Sequence, residues 1–74
     1  MNDQDATPYD GKETTVGEVK KGDLVQFRGH AAAPVWVRDE YNREAKAFEF
    51  YAFDDVNRFI SRKKTVKCFI GFTY

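Results

Sequence analysis

A chain of 74 residues is one small domain, and its single cysteine, Cys68, excludes an internal disulfide. Cys68 and the lone histidine, His30, cannot make a four-ligand zinc site without several carboxylates, so no metal and no cofactor is expected. Twelve Lys and Arg against twelve Asp and Glu give zero net charge, which removes the overall basic balance typical of a general polyanion binder.

The zero conceals an asymmetry. Residues 1–13 hold Asp3, Asp5, Asp10 and Glu13 against Lys12, a balance of −3 that leaves +3 on the remainder. These residues include Pro8 and Gly11 and offer only Ala6 and Tyr9 for burial, which predicts an acidic disordered tail over 1–13. The opening lacks the basic start and apolar run of a signal peptide, and no apolar stretch approaches the ~20 residues that span a bilayer. The expectation is a cytoplasmic protein without a membrane partner.

The domain is expected over 14–74. Thr15 and Glu18 have the spacing of a capping box, and Val16 and Val19 lie three apart, which predicts one helical turn. Lys20-Lys21-Gly22-Asp23 reads as a tight turn into a first strand, Leu24 to Arg28. Gly29-His30-Ala31-Ala32-Ala33-Pro34 is loop, with His30 solvated. A second strand, Val35 to Tyr41, sets Val35 and Val37 inward and Trp36 and Arg38 outward. After a hairpin around Tyr41–Ala45, with Asn42 in the left-handed position, comes Lys46-Ala47-Phe48-Glu49-Phe50-Tyr51-Ala52-Phe53. This is the expected central strand, with Phe48 and Phe50 inward and Tyr51 and Phe53 outward.

Asp54-Asp55-Val56-Asn57 is expected as a turn before a fourth strand, Arg58 to Arg62. Lys63-Lys64 turns into the last strand, Thr65 to Tyr74, whose inward set is Val66, Cys68, Ile70 and Phe72. Gly71 there marks a bulge or bend. Short strands with tight turns, too few for a seven-stranded sandwich, predict an all-β fold: a small five-stranded antiparallel, partly open barrel.

With that inner set full, an outer face is left that mixes rings with cations: Trp36, Tyr51, Phe53, Phe59 and Phe69 among Arg38, Arg58 and Lys67. The predicted partner-binding residues are Trp36, Arg38, Tyr51, Phe53, Arg58, Lys67 and Phe69. Such a face suits a protein partner, including self-association, because aromatics and Arg dominate interface hot spots. It also suits single-stranded nucleic acid, where rings stack bases and cations follow phosphates. A structural homo-oligomer is the third reading, and a second small core that swallows Trp36 or Phe69 is the competing structural one.

Catalysis is not expected. Cys68 falls on the inner face, where apolar surroundings raise a thiol's pKa. Asp54 and Asp55 are adjacent and suit capping a turn better than acid–base chemistry, and Gly22, Gly29 and Gly71 are too scattered to cradle a phosphate.

Thr15-Val16-Gly17-Glu18-Val19-Lys20-Lys21-Gly22-Asp23 resembles the opening of many SH3-like small barrels, and Val35-Trp36-Val37-Arg38, Phe53-Asp54-Asp55-Val56-Asn57 and Ile70-Gly71-Phe72-Thr73-Tyr74 together are similar to small uncharacterised proteins of phage and mobile-element type. The resemblance covers residues 14–74 and implies an SH3-like barrel that binds nucleic acid, a peptide or a partner protein, with no catalytic residue to carry over. The phage-type likeness implies an accessory protein that binds and blocks a host component.

Overall fold

Phe50 is the centre of the fold, with 0% of its surface exposed. In the computed structural model, which describes residues 9–73, it lies on β4 (Ala47–Ala52), opposite Arg38 of β3 (Trp36–Asn42) and Ile60 of β5 (Asp55–Arg62). A two-residue β2 (Leu24–Val25) completes an antiparallel sheet of order β2-β3-β4-β5. A second sheet pairs β1 (Lys12–Thr15) with β6 (Lys67–Ile70).

A backbone bridge joins the two sheets. Gln26 and Phe69 form a bridge, with Gln26 N–H donating to Phe69 O at 3.0 Å and Phe69 N–H to Gln26 O at 2.7 Å. The sequence of neighbours is therefore β1-β6-β2-β3-β4-β5, with β1 and β5 as its two ends, so the all-β fold wraps a core without closing into a barrel. Val16, Val19, Val25, Trp36, Phe50, Ala52 and Cys68 form that core, flanked by half-buried Phe27, Phe48, Ile60, Val66 and Ile70.

Among the described residues six strands stand where five were expected, because part of the anticipated tail is structured. Residues 1–8 lie outside the described residues, but Lys12 and Glu13 belong to β1, and Tyr9 and Asp10 dock on the far end of the chain. Tyr9 meets Phe69 edge-on at 5.8 Å and stacks on Phe72 at 6.5 Å, while its hydroxyl donates to Gln26 Oε1 at 2.6 Å. Asp10 accepts the Thr73 N–H at 2.9 Å and also its hydroxyl. Counting burial residue by residue overlooks this, since one ring with the right partners and a strand edge suffices to order a short segment.

The helical turn appears as a 3-10 turn, Val16–Glu18, but Thr15 makes no side-chain cap. Its leading donors go instead to the β5–β6 connection: Val16 N–H to Val66 O and Gly17 N–H to Lys64 O. Between β3 and β4 the left-handed residue is Lys46, φ 52°, not Asn42. Asn42 acts through its side chain, which accepts the Ala45 N–H at 3.0 Å.

β5 starts at Asp55, three residues before the expected strand. The pairing with β4 shifts between Tyr51 and Ala52, and this irregularity absorbs the anticipated turn. Asp55 Oδ1 still accepts the Asn57 N–H, so the aspartate bond was correctly anticipated but sits inside a bulged strand.

Trp36 requires the main correction. Its partners are Val25 and Ala52, both core residues, and it is 8% exposed on the inner face. Val35-Trp36-Val37 is apolar at every position, so alternation cannot say which set faces inward. Register decides it, because Ala52 opposite leaves space for an indole ring. Val35 and Val37 face the other way and are also buried.

Phe72 leaves the inner set as well. β6 ends at Ile70, and Gly71 takes φ 72°, a left-handed value that turns the chain and sends Phe72 to Tyr9. A second small core therefore exists on the outer side, built from Tyr9, Phe69, Phe72 and the buried Gln26, whose amide donates to Ala33 O at 2.9 Å.

Candidate binding surface

The residues expected to share one outer face are distributed over three places. Trp36, Arg38 and Arg58 belong to the inner side of the large sheet, Tyr51 and Phe53 to its outer side, and Lys67 and Phe69 to β6. Phe69 is half-buried under Tyr9, and exposed Lys67 pairs with Glu13 at 3.4 Å.

On the inner side the arginines lie over rings. Arg38 is 4.3 Å above Phe48, Arg58 is 5.7 Å from Trp36, and Arg62 is 5.5 Å from Phe27. Such contacts are electrostatically favourable, and three of them in so short a chain form a distinct patch. Tyr41 packs on Phe48 at 4.7 Å, and beyond it Lys46, Lys63, Lys64 and Thr65 line a cleft with Tyr41. Arg38 Nε is enclosed without a hydrogen-bond partner, so the Phe48 ring provides its stabilising contact on that side.

The outer side is apolar along one line. Register places Leu24 opposite Val37, Val37 opposite Tyr51, and Tyr51 opposite Phe59, one continuous row across four strands. The row opens progressively, from buried Val37 through half-buried Tyr51 to Phe59, which is 61% exposed on the terminal strand. Phe53, 46% exposed, and Val56, 63% exposed, flank the same margin. Every residue of β5 except Ile60 is exposed.

Phe59 and Val56 were absent from the predicted binding residues. The sequence already set Phe59 on the outer face, but only the β4–β5 register places it opposite Tyr51 at the exposed end of the row. Two backbone groups of β5 are met by the strand's own side chains, Asn57 N–H by Asp55 and Ser61 O by Arg62 Nη1 at 2.7 Å.

Elsewhere the titratable groups read as structural. Burial pushes the Cys68 thiol up to about 11, which keeps it protonated and un-nucleophilic at neutral pH. Lys21 and Glu40 form an exposed ion pair, with the lysine shifted up and the carboxyl down by that bond. His30 is exposed on its loop. Among the described residues no three His, Cys, Asp or Glu side chains converge, and no helix is long and apolar enough to cross a membrane.

Comparison of the chain with protein-family models, curated proteins and solved structures yields no match.

Proposed function

We propose that this chain is a non-catalytic binding module that engages a protein partner along the β5 margin of its larger sheet. The observation that carries the reading is a terminal strand of eight residues, all exposed except Ile60, that bears Phe59 and Val56, beside Phe53 at the preceding turn. A terminal strand offers unpaired backbone groups, and exposed rings beside it supply the desolvated anchors that dominate interface energy. On the inner side of the same strand, Arg58 and Arg62 lie over Trp36 and Phe27 and add basic–aromatic character beside this margin.

The reading is tested with a photoactivatable phenylalanine analogue at position 59 and, as control, at exposed Arg43 on the opposite hairpin. Protein adducts at 59 that are absent at 43 support it. Equal labelling at both sites, or none at 59, removes it.

One observation favours a second reading. The three arginine–ring contacts and the cleft lined by Lys46, Lys63 and Lys64 form a cationic path along the inner side, as single-stranded nucleic acid requires. Salt dependence of oligonucleotide binding tests it, as argued below.

A further inference from the structure

The partner of β5 is left open by the proposed function, and the strand's own charge pattern identifies one. Resting on that reading, we infer that the partner is a second copy of this chain, joined β5 to β5 in antiparallel register about a two-fold axis at Phe59. The two four-stranded sheets then continue as one.

The charges are polar along the strand. Asp55 begins it, with Asp54 in the turn just before, and Arg62 ends it, with Lys63 and Lys64 in the connection just after. Antiparallel pairing of the strand with itself lays the acidic start of each copy against the basic end of the other, and the two-fold axis makes every such contact twice. A two-fold axis normal to the sheet also keeps inner face with inner face, so the centre must fall on a residue.

Of the centres near the middle of the strand, Arg58 sets two arginines directly opposite one another, and Ile60 sets Arg58 opposite Arg62. Like charges directly opposite are destabilising. A centre at Phe59 avoids both: Arg58 faces Ile60, and Asp55 at the start of one strand comes beside Lys63, the residue that follows Arg62 of the other.

The apolar row points to the same centre. Leu24, Val37, Tyr51 and Phe59 lie in one cross-strand line, and pairing Phe59 with Phe59 extends that line into the second copy. The ring that is 61% exposed thereby gains the neighbour its row lacks. Natural terminal strands discourage such pairing with charges on the edge, but here Arg58 and Arg62 lean over Trp36 and Phe27, back across their own sheet.

Sedimentation velocity of the full chain from micromolar to millimolar concentration tests this. A concentration-dependent monomer–dimer equilibrium is expected. Asp55→Lys removes two attractions and adds two repulsions, and raises the dissociation constant about tenfold. The double change Asp55→Lys with Lys63→Asp restores the parent value, which no effect on folding alone explains, and circular dichroism checks the fold of each variant. A chain that stays monomeric throughout, an unmoved constant in Asp55→Lys, or a double variant no tighter than the single one overturns the inference. Photolabelling at position 59 separates the two levels: a monomer that captures a different protein there ends self-pairing alone, whereas a monomer that captures nothing ends the binding-module reading too.

Discussion

Phe50 touches Phe27 edge-on at 5.2 Å and has no exposed surface, so Phe50→Ala removes a ring that neighbouring strands cannot collapse to fill. The expected cost is about 3–5 kcal/mol, which equals the whole stability a core of this size supplies. The variant is expected to show no cooperative thermal transition, and a midpoint near the parent's would remove Phe50 from its central role. Cys68 gives a subtler prediction through pH. Its folded pKa, about 11, lies above the unfolded value of 9.0, so the unfolded chain ionises first as pH rises. The stability it contributes is complete below about pH 9 and is lost through pH 11, by up to about 3 kcal/mol at one unit per 1.4 kcal/mol. Tyrosines and lysines also titrate in this window, so the informative quantity is the difference between the parent and Cys68→Ala, whose denaturation midpoints should converge as pH climbs from 9 to 11. A constant difference would mean that the thiol ionises equally in both states.

At the scale of elements, the N-terminal segment gives the sharpest test, because sequence and structure part there. Removing residues 1–13 takes Lys12 and Glu13 from β1, uncovers Phe69 and Ile70 on the β6 edge, and strips Tyr9 from Phe69, Phe72 and Gln26. A large loss of thermal stability is expected, and Tyr9→Phe alone should cost about 1–3 kcal/mol by leaving buried Gln26 Oε1 without its donor. An unchanged melting temperature in both variants would show that the segment does not hold the fold. What the chain discloses here follows from how its residues alternate. The central strand was legible, since Glu49 breaks the apolar run and leaves Phe50 on one side; so was β6, where Lys67 separates Val66 from Cys68. Trp36 was not, because valine stands on both sides of it and only the opposing Ala52 reveals the inward face. Nor was the outer row ending at Phe59, which exists only once four strands are in register. Gln26 escaped too: its polar side chain, just past β2, is buried by contacts to Ala33 across the following loop and to Tyr9, seventeen residues away.

At the scale of the molecule, the two sides of the large sheet differ in what they can recognise, and ionic strength separates them. The inner side carries Arg38, Arg58 and Arg62 over rings and ends at Lys46, Lys63 and Lys64, whereas the outer margin offers Phe53 and Phe59. If single strands follow the inner side, each neutralised phosphate releases counterions and contributes about −0.7 to the slope of log affinity against log salt. A contact covering all six of those cations gives a slope of about −4, and replacing Arg62, Lys63 and Lys64 together by Gln should flatten it by about 2. Protein recognition at the outer margin depends instead on desolvated rings that salt screens little, so Phe59→Ala should weaken it by about 2 kcal/mol at any ionic strength. The titration belongs on the full chain, because β1 carries Glu13, which pairs with Lys67, and Asp10 secures Thr73. The same acids also set a local negative charge that a phosphate backbone must avoid. Fluorescence anisotropy with a labelled single-stranded oligonucleotide at low salt therefore gives a clear outcome: no binding by the folded chain eliminates the inner-side reading, and binding insensitive to the triple Gln replacement removes these cations from any contact that does form.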